Sequence, residues 1–162
     1  MANKRARAGD QLQVGDHAPD FTLPMQAEAT VRLKDFLGKS IVVLFFYGKD
    51  YTPTCTREVC AFRDSYEAFK EAGAEVIGIS SDSIALHSRF VQKYQLPFIL
   101  VSDAGGKVRK LYGIPCTFRL LPGRVTYIID KQGIIRHIFS SQFTPEKHII
   151  EAFKTLKALD TK

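Results

Sequence analysis

The sequence predicts an α/β fold, a central mixed β-sheet flanked by helices, on three observations. Residues 41–47 are a continuous apolar run, Ile-Val-Val-Leu-Phe-Phe-Tyr, the pattern of a strand buried on both faces. Helical and strand periodicities then alternate in the order β-α-β-α-β. Residues 125–129 and 134–139 finally read as two strands around Asp130-Lys131-Gln132-Gly133, a hairpin signal.

Each element has a local reason. Residues 21–23 and 31–33 form two short apolar stretches that pair as an N-terminal hairpin extension. Pro53 suits the first turn of a helix, where its missing N–H is not needed. Val59, Phe62, Tyr66 and Phe69 follow at helical spacing as far as Gly73, which predicts one continuous helix. Residues 75–80 are the next strand. Ser81-Asp82-Ser83 offers N-caps for a helix through Tyr94, with Leu86, Phe90 and Tyr94 inward. Leu96-Pro97 ends it, residues 98–102 form a third strand, Gly105-Gly106 a turn and residues 107–112 a short helix. These glycines punctuate the backbone and complete no phosphate-binding pattern. After the hairpin, Thr144-Pro145 opens a last helix whose Ile149, Ile150, Phe153, Leu156 and Leu159 share one apolar face.

A chain of 162 residues, 45% apolar and 25% charged, is expected to make one globular domain over residues 1–162, with residues 1–11 a flexible arm. The net charge of +6 is concentrated partly in Lys4, Arg5 and Arg7. No basic stripe or nucleic-acid motif accompanies it, so a solvated tail is expected and nucleic acid is not an expected partner. The apolar run at 41–47 is far too short to cross a membrane, and no secretory leader follows the basic start. Three cysteines are too few for a disulfide scaffold and point to a reducing or redox-cycled compartment.

The chemistry concentrates in Asp50-Tyr51-Thr52-Pro53-Thr54-Cys55-Thr56-Arg57-Glu58-Val59-Cys60, directly after the strongest strand. Cys55 falls in the first helical turn, where unpaired backbone N–H groups and the helix dipole favour an anion. An attacking thiol works as thiolate, and a helix terminus alone stabilises one too little. A cation or further donors are therefore expected nearby, and Thr52 is one candidate donor. The plainer alternative makes Cys55 and Cys60 small core residues and Thr52 only an N-cap. Positions i and i+5 of an intact helix lie about 8 to 9 Å apart at Cα, beyond the roughly 7 Å that a disulfide spans. Any bond between the two thiols therefore needs the helix start to unwind. The spacing is not the C-x-x-C of a thioredoxin-type dithiol, and with Cys116 distant and the four histidines irregularly spaced no zinc site is expected.

With these features in place the chain closely resembles the peroxiredoxins. Phe46-Tyr47, Thr52-Pro53, Cys55-Thr56, Cys60 and Phe62-Arg63-Asp64 look like the peroxiredoxin Q subfamily, also called bacterioferritin comigratory proteins. Ala18-Pro19-Asp20-Phe21, Val76-Ile77-Gly78-Ile79-Ser80, Pro122-Gly123-Arg124-Val125-Thr126-Tyr127 and Gln142-Phe143-Thr144-Pro145-Glu146-Lys147-His148 agree further. The resemblance spans about residues 12–160 and implies a thioredoxin-like fold. It also implies thiol peroxidase activity on hydrogen peroxide and organic hydroperoxides, without metal or flavin.

By the family's pattern Cys55 is the peroxidatic cysteine, passing through a sulfenic acid. Thr52 hydrogen-bonds thiolate and peroxide, Arg124 is the active-site cation, and Cys60 is the resolving cysteine. The resemblance also implies a monomer recycled by thioredoxin, or by glutaredoxin, in a bacterial or cyanobacterial cytoplasm, or in a chloroplast if the chain is a trimmed mature form. Arg124 heads its strand whereas Cys55 follows the end of residues 41–47, so the two strands must run antiparallel for the pair to meet.

Gly48 stands where the family usually has proline, which predicts a looser loop before Thr52. Thr54 replaces a common glycine, and Cys116 is an extra thiol expected to be non-catalytic, the alternative being a resolving or regulatory role. Two rivals to the peroxidase are a thioredoxin-like dithiol-disulfide oxidoreductase and a non-enzymatic, redox-regulated binding or chaperone module. The C-x-x-x-x-C spacing and the Thr52 and Arg124 partners argue against the first, and the second would rest on the basic tail.

Overall fold

A computed structural model describes residues 12–25, 29–114, 116–117, 121–122, 124–141 and 144–160, with backbone alone at 116–117, 121–122 and 160. The expected arm at 1–11 and the side chain of Cys116 lie outside the described residues.

Five strands form the central sheet: β3 (Ile41–Phe46), β4 (Ala74–Ser80), β5 (Ile99–Ser102), β8 (Val125–Ile129) and β9 (Ile135–Ser140), in the order β5-β4-β3-β8-β9. β3, β4 and β5 run parallel, and β8 and β9 antiparallel to their neighbours. The expected hairpin is β1 (Thr22–Pro24) with β2 (Thr30–Arg32). A second two-stranded pair, β6 (Cys116–Thr117) with β7 (Leu121–Pro122), has no counterpart in the sequence reading.

The helices are α1 (Pro53–Asp64), α2 (Tyr66–Glu71), α3 (Ile84–Tyr94), α4 (Lys107–Leu111) and α5 (Pro145–Asp160). Alternation in the strands splits the core into two layers. Val43, Phe45, Val76, Leu100 and Ile128 face α1, α2, α3 and α5, whereas Val42, Leu44, Phe46, Ile77, Ile79, Val125 and Tyr127 face α4 and the N-terminal hairpin. Helices do cover both faces, but on the second side one short helix shares the work with a hairpin.

Two local expectations are corrected. The single helix expected from Pro53 to Gly73 is broken at Ser65, which has φ −103° and ψ 1° and whose N–H is shared between the Ala61 and Phe62 carbonyls. Serine competes poorly for the helix interior, while the apolar spacing runs on unbroken and so hides the break. In α3 Phe90 is buried and Tyr94 packs half-buried against the same core as expected, but the second buried position is His87 rather than Leu86.

Gly78 sits mid-strand in β4 between Phe45 of β3 and Leu100 of β5. A β-carbon there would meet Leu100 at 2.6 Å and Phe45 at 2.7 Å. The bare α-carbon lets Phe45 lie across β4 and stack on Phe62 of α1, with ring centroids 4.3 Å apart. This packing seats α1 on the sheet.

Candidate active site

The turn between β3 and α1 is fastened at several points. Tyr47 donates its N–H to Ile79 at 3.0 Å and accepts at its carbonyl from Arg109 Nη2 at 2.8 Å. Its hydroxyl donates to Asp50 Oδ1 at 2.6 Å. Burial pushes the Tyr47 phenol well above its ordinary range, so the hydroxyl remains a donor.

His87 Nδ1 lies 2.6 Å from the other Asp50 oxygen, its Nε2 faces the Val101 carbonyl at 3.2 Å, and Asp50 N–H donates to Asp82 at 2.7 Å. The next residue, Tyr51, takes a left-handed φ of 66°, costly for a bulky side chain. Its ring rests edge-on against Phe90 of α3 at 5.0 Å. Both flanks of Gly48 are tied to the fold, Tyr47 to β4 and α4 and Asp50 to α3.

α1 then starts at Pro53, and its first hydrogen bond runs from Thr56 N–H to the Thr52 carbonyl at 2.8 Å. The N–H groups of Thr54 and Cys55 precede that bond and have no partner within the helix. Cys55 is 2% exposed. Arg124 Nη2 donates to its Sγ at 2.9 Å, across 69 positions of sequence. The antiparallel register makes this contact: Phe46 pairs with Val125, so Arg124 stands beside the exit of β3. The cation expected from the chemistry of the thiol is present, and the antiparallel demand is met.

Arg124 is itself held. Its Nη1 donates to Glu58 Oε2 at 3.3 Å, and both side chains are buried. Burial pushes the Glu58 carboxyl up to about 8, with Arg124 pulling it back. His148 Nδ1 approaches Glu58 Oε1 at 4.0 Å but takes its hydrogen bond from Thr126 Oγ1 at 2.8 Å, and His148 Nε2 donates to the Ser141 carbonyl at 2.9 Å. Burial lowers the His148 imidazole below its ordinary value, consistent with a neutral ring of fixed tautomer.

Thr52 occupies the N-cap position without a capping bond, and its Oγ1 donates to the Lys49 carbonyl at 2.8 Å. The direct bond from Thr52 to the thiol expected from the resemblance is not made, because the nearer carbonyl takes the hydroxyl proton. Cys60 lies later in the same helix, half-buried and free. Desolvation raises its thiol pKa, with the Arg63 charge offsetting part. The two cysteines thus differ in kind: Cys55 accepts a hydrogen bond from the Arg124 guanidinium, whereas Cys60 feels the Arg63 cation only through its charge.

Glu58, His148 and the Asp50–His87 pair were not singled out from sequence. Glu58 was findable, since position i+3 from Cys55 shares its helical face. His148 carries no sequence signal toward the site. Ligand atoms of Asp50, Asp82 and His87 lie within 4.8 Å of one another, a grouping that irregular histidine spacing did not suggest. Both Asp50 oxygens are already engaged, by Tyr47 and His87, so the grouping reads as a structural network. A groove of about 370 Å³ is lined by Ile41 at the opposite end of β3 and by neither cysteine. No described helix is long and apolar enough to cross a membrane.

Residues 14–138 match the AhpC/TSA family. The chain is 57% identical over 149 residues to the chloroplastic peroxiredoxin Q of Arabidopsis thaliana, covering 91% of this chain and 68% of that protein. The chain belongs to the peroxiredoxin Q group of this family. Peroxiredoxin Q from Oryza sativa subsp. japonica, also chloroplastic, is 55% identical over 150 residues, 92% of this chain and 69% of that one. Among solved structures, peroxidoxin BcpB from Mycobacterium tuberculosis superposes with a TM-score of 0.84 at 35% identity, covering 91% of this chain and 98% of its own. The fold is thus the thioredoxin-like one of peroxiredoxins, and as a peroxiredoxin Q the chain is a thiol-dependent peroxidase.

Proposed function

We propose that Cys55 is the peroxidatic cysteine and that the chain reduces hydrogen peroxide and organic hydroperoxides through it. The observation that carries this reading is Arg124 Nη2 at 2.9 Å from a buried sulfur at a helix start. The Cys55 thiolate attacks the terminal peroxide oxygen in line with the O–O bond. A sulfur–oxygen bond forms as the O–O bond breaks, and the electron pair leaves on the departing oxygen, which takes a proton to become water or an alcohol. Arg124 and the free N–H groups of the first turn stabilise the charge that develops. Thr52 joins them once its hydroxyl turns from Lys49 to the substrate.

Cys55 is left as a sulfenic acid. Cys60 condenses with it after the first turns of α1 unwind, releasing water and leaving a disulfide. Thioredoxin, or glutaredoxin in its place, reduces that bond by thiol exchange. The chain works as a monomer in this scheme. The chloroplast location of the plant relatives supports that compartment over a bacterial cytoplasm.

The test is peroxide-dependent NADPH oxidation with thioredoxin and its reductase. The parent chain is expected to sustain turnover, Cys55→Ser to abolish it, and Cys60→Ser to stop after one oxidation. A Cys55→Ser chain that turns over at the parent rate would overturn the assignment.

A further inference from the structure

Thr52 holds the N-cap position of α1 and does not cap it, an arrangement that the chemistry above leaves without a cause. A threonine at that position ordinarily turns its oxygen to the N–H of the second or third helical residue, which in α1 are Thr54 and Cys55. These are the N–H groups that the reaction needs free beside the thiol. Thr52 Oγ1 instead donates to the Lys49 carbonyl at 2.8 Å, so a common stabilising bond is withheld from the helix start.

That carbonyl belongs to a peptide unit held from its other side. Lys49 C=O and Asp50 N–H are the two ends of one planar group, and the N–H donates to Asp82 Oδ2 at 2.7 Å. The plane cannot turn its carbonyl without swinging its N–H off Asp82. Asp82 is in turn fixed to the carboxyl ends of two strands. Its Oδ2 accepts from Ser80 of β4 at 2.9 Å, its N–H donates to Ser80 Oγ at 3.2 Å, and its carbonyl accepts from Ser102 of β5 at 2.6 Å. The buried Asp50 side chain adds its contact with His87 at 2.6 Å, and Tyr51 bends the chain back toward Lys49 at its left-handed φ of 66°.

We propose that Asp82 is a positioning residue for the peroxidase: by fixing the Lys49–Asp50 peptide unit it holds the Thr52 hydroxyl off the start of α1 and keeps the Thr54 and Cys55 N–H groups open to the thiolate and the departing oxygen. The inference rests on the peroxidase reading of Cys55. A hydroxyl hydrogen rotates toward a peroxide without moving its oxygen, so Thr52 still joins the reaction from its held place. Without the Asp82 carboxylate the peptide unit is free to turn, and Thr52 relaxes into the ordinary cap. One N–H is then lost to the chemistry while the helix start gains a bond. Activity and local order move in opposite directions, which loss of structure alone does not produce.

The experiment measures Cys55 oxidation by hydrogen peroxide in the parent chain, in Asp82→Ala, Asp82→Asn and Thr52→Val, and in the double variant Asp82→Ala with Thr52→Val. The chain has no tryptophan, so oxidation is followed by quenched flow and mass spectrometry. Asp82→Ala is expected to lower the rate constant by about three- to tenfold, the kinetic weight of one hydrogen bond, and to raise the hydrogen-exchange protection of the Thr54 and Cys55 amides, read by NMR. Asp82→Asn keeps an oxygen for the Asp50 N–H and should recover most of the rate. Thr52→Val has no oxygen to cap with, so adding Asp82→Ala to it should change the rate by less than about twofold. Protected amides in β3 report that each variant is folded. A parent-like rate in Asp82→Ala, rate losses that multiply in the double variant, or protection at Thr54 and Cys55 that does not rise would each overturn the inference and leave the peroxidase reading intact. A parent chain whose Cys55 hydrogen peroxide does not oxidise would remove the peroxidase reading and this inference together.

Discussion

Glu58 gives the active site a pH signature that is separable from the thiol. Its carboxyl sits at about 8 in the fold against 4.5 for a free side chain, because burial outweighs the pull of Arg124. Between those values the folded chain holds a proton that the unfolded chain has lost. Stability contributed by this group is therefore full below the lower value, falls as pH rises, and levels off above the upper one. Glu58→Gln removes the dependence, so the variant's Tm relative to the parent is expected to climb between about pH 5 and about pH 9. A constant difference would show a carboxylate ionised throughout.

Arg124→Ala should slow Cys55 oxidation by on the order of a hundredfold, the usual cost of losing one charge partner. Arg124→Lys should recover only part, because a point charge cannot hold Glu58 and the sulfur at once. At this scale the sequence was legible where a residue type and a helix start suffice, as for Cys55. It was silent on Asp50 and His87, whose pairing spans 37 positions and follows no local pattern.

Among the elements, strands were the most readable, because β3 carries its burial in an unbroken apolar run, whereas the break at Ser65 is invisible to periodicity. Gly78→Ala tests how α1 is seated. The added methyl would collide with Phe45 and Leu100, and overpacking of this kind costs about 1 to 3 kcal/mol, measurable as a lower urea midpoint. A midpoint equal to the parent's would mean that Phe45 can leave β4 without loosening Phe62. α1 also has to open when Cys55 and Cys60 join. Oxidised chain should lose amide protection over residues 54–62 and keep it in α2, whose Tyr66 and Phe69 remain packed. Equal protection in both redox states, with the disulfide present by mass spectrometry, would refute the unwinding step. The Arg57–Glu146 bridge from α1 to α5 is surface-exposed and should resist this opening little.

For the whole molecule, the same reasoning sets the sign of a redox effect on stability. A disulfide across five residues restricts the unfolded chain only slightly, while forming it sacrifices the first turns of α1 and the contact of Arg124 with the thiol. The oxidised chain is expected to melt below the reduced one in calorimetry, and a higher melting temperature would identify a structural staple instead. The mixed sheet and the antiparallel meeting of β3 with β8 were legible, because the hairpin signal and the placement of Cys55 and Arg124 allow few other topologies. How the second face is closed was not, since the contacts of the N-terminal hairpin with the sheet are long-range. The 69 positions between Cys55 and Arg124 also have a meaning during synthesis. At roughly 5–20 residues per second the thiol emerges about 3 to 14 s before its cation. A nascent chain therefore carries an unarmed cysteine, and peroxide met on the ribosome finds an ordinary thiol until the last strands close the sheet.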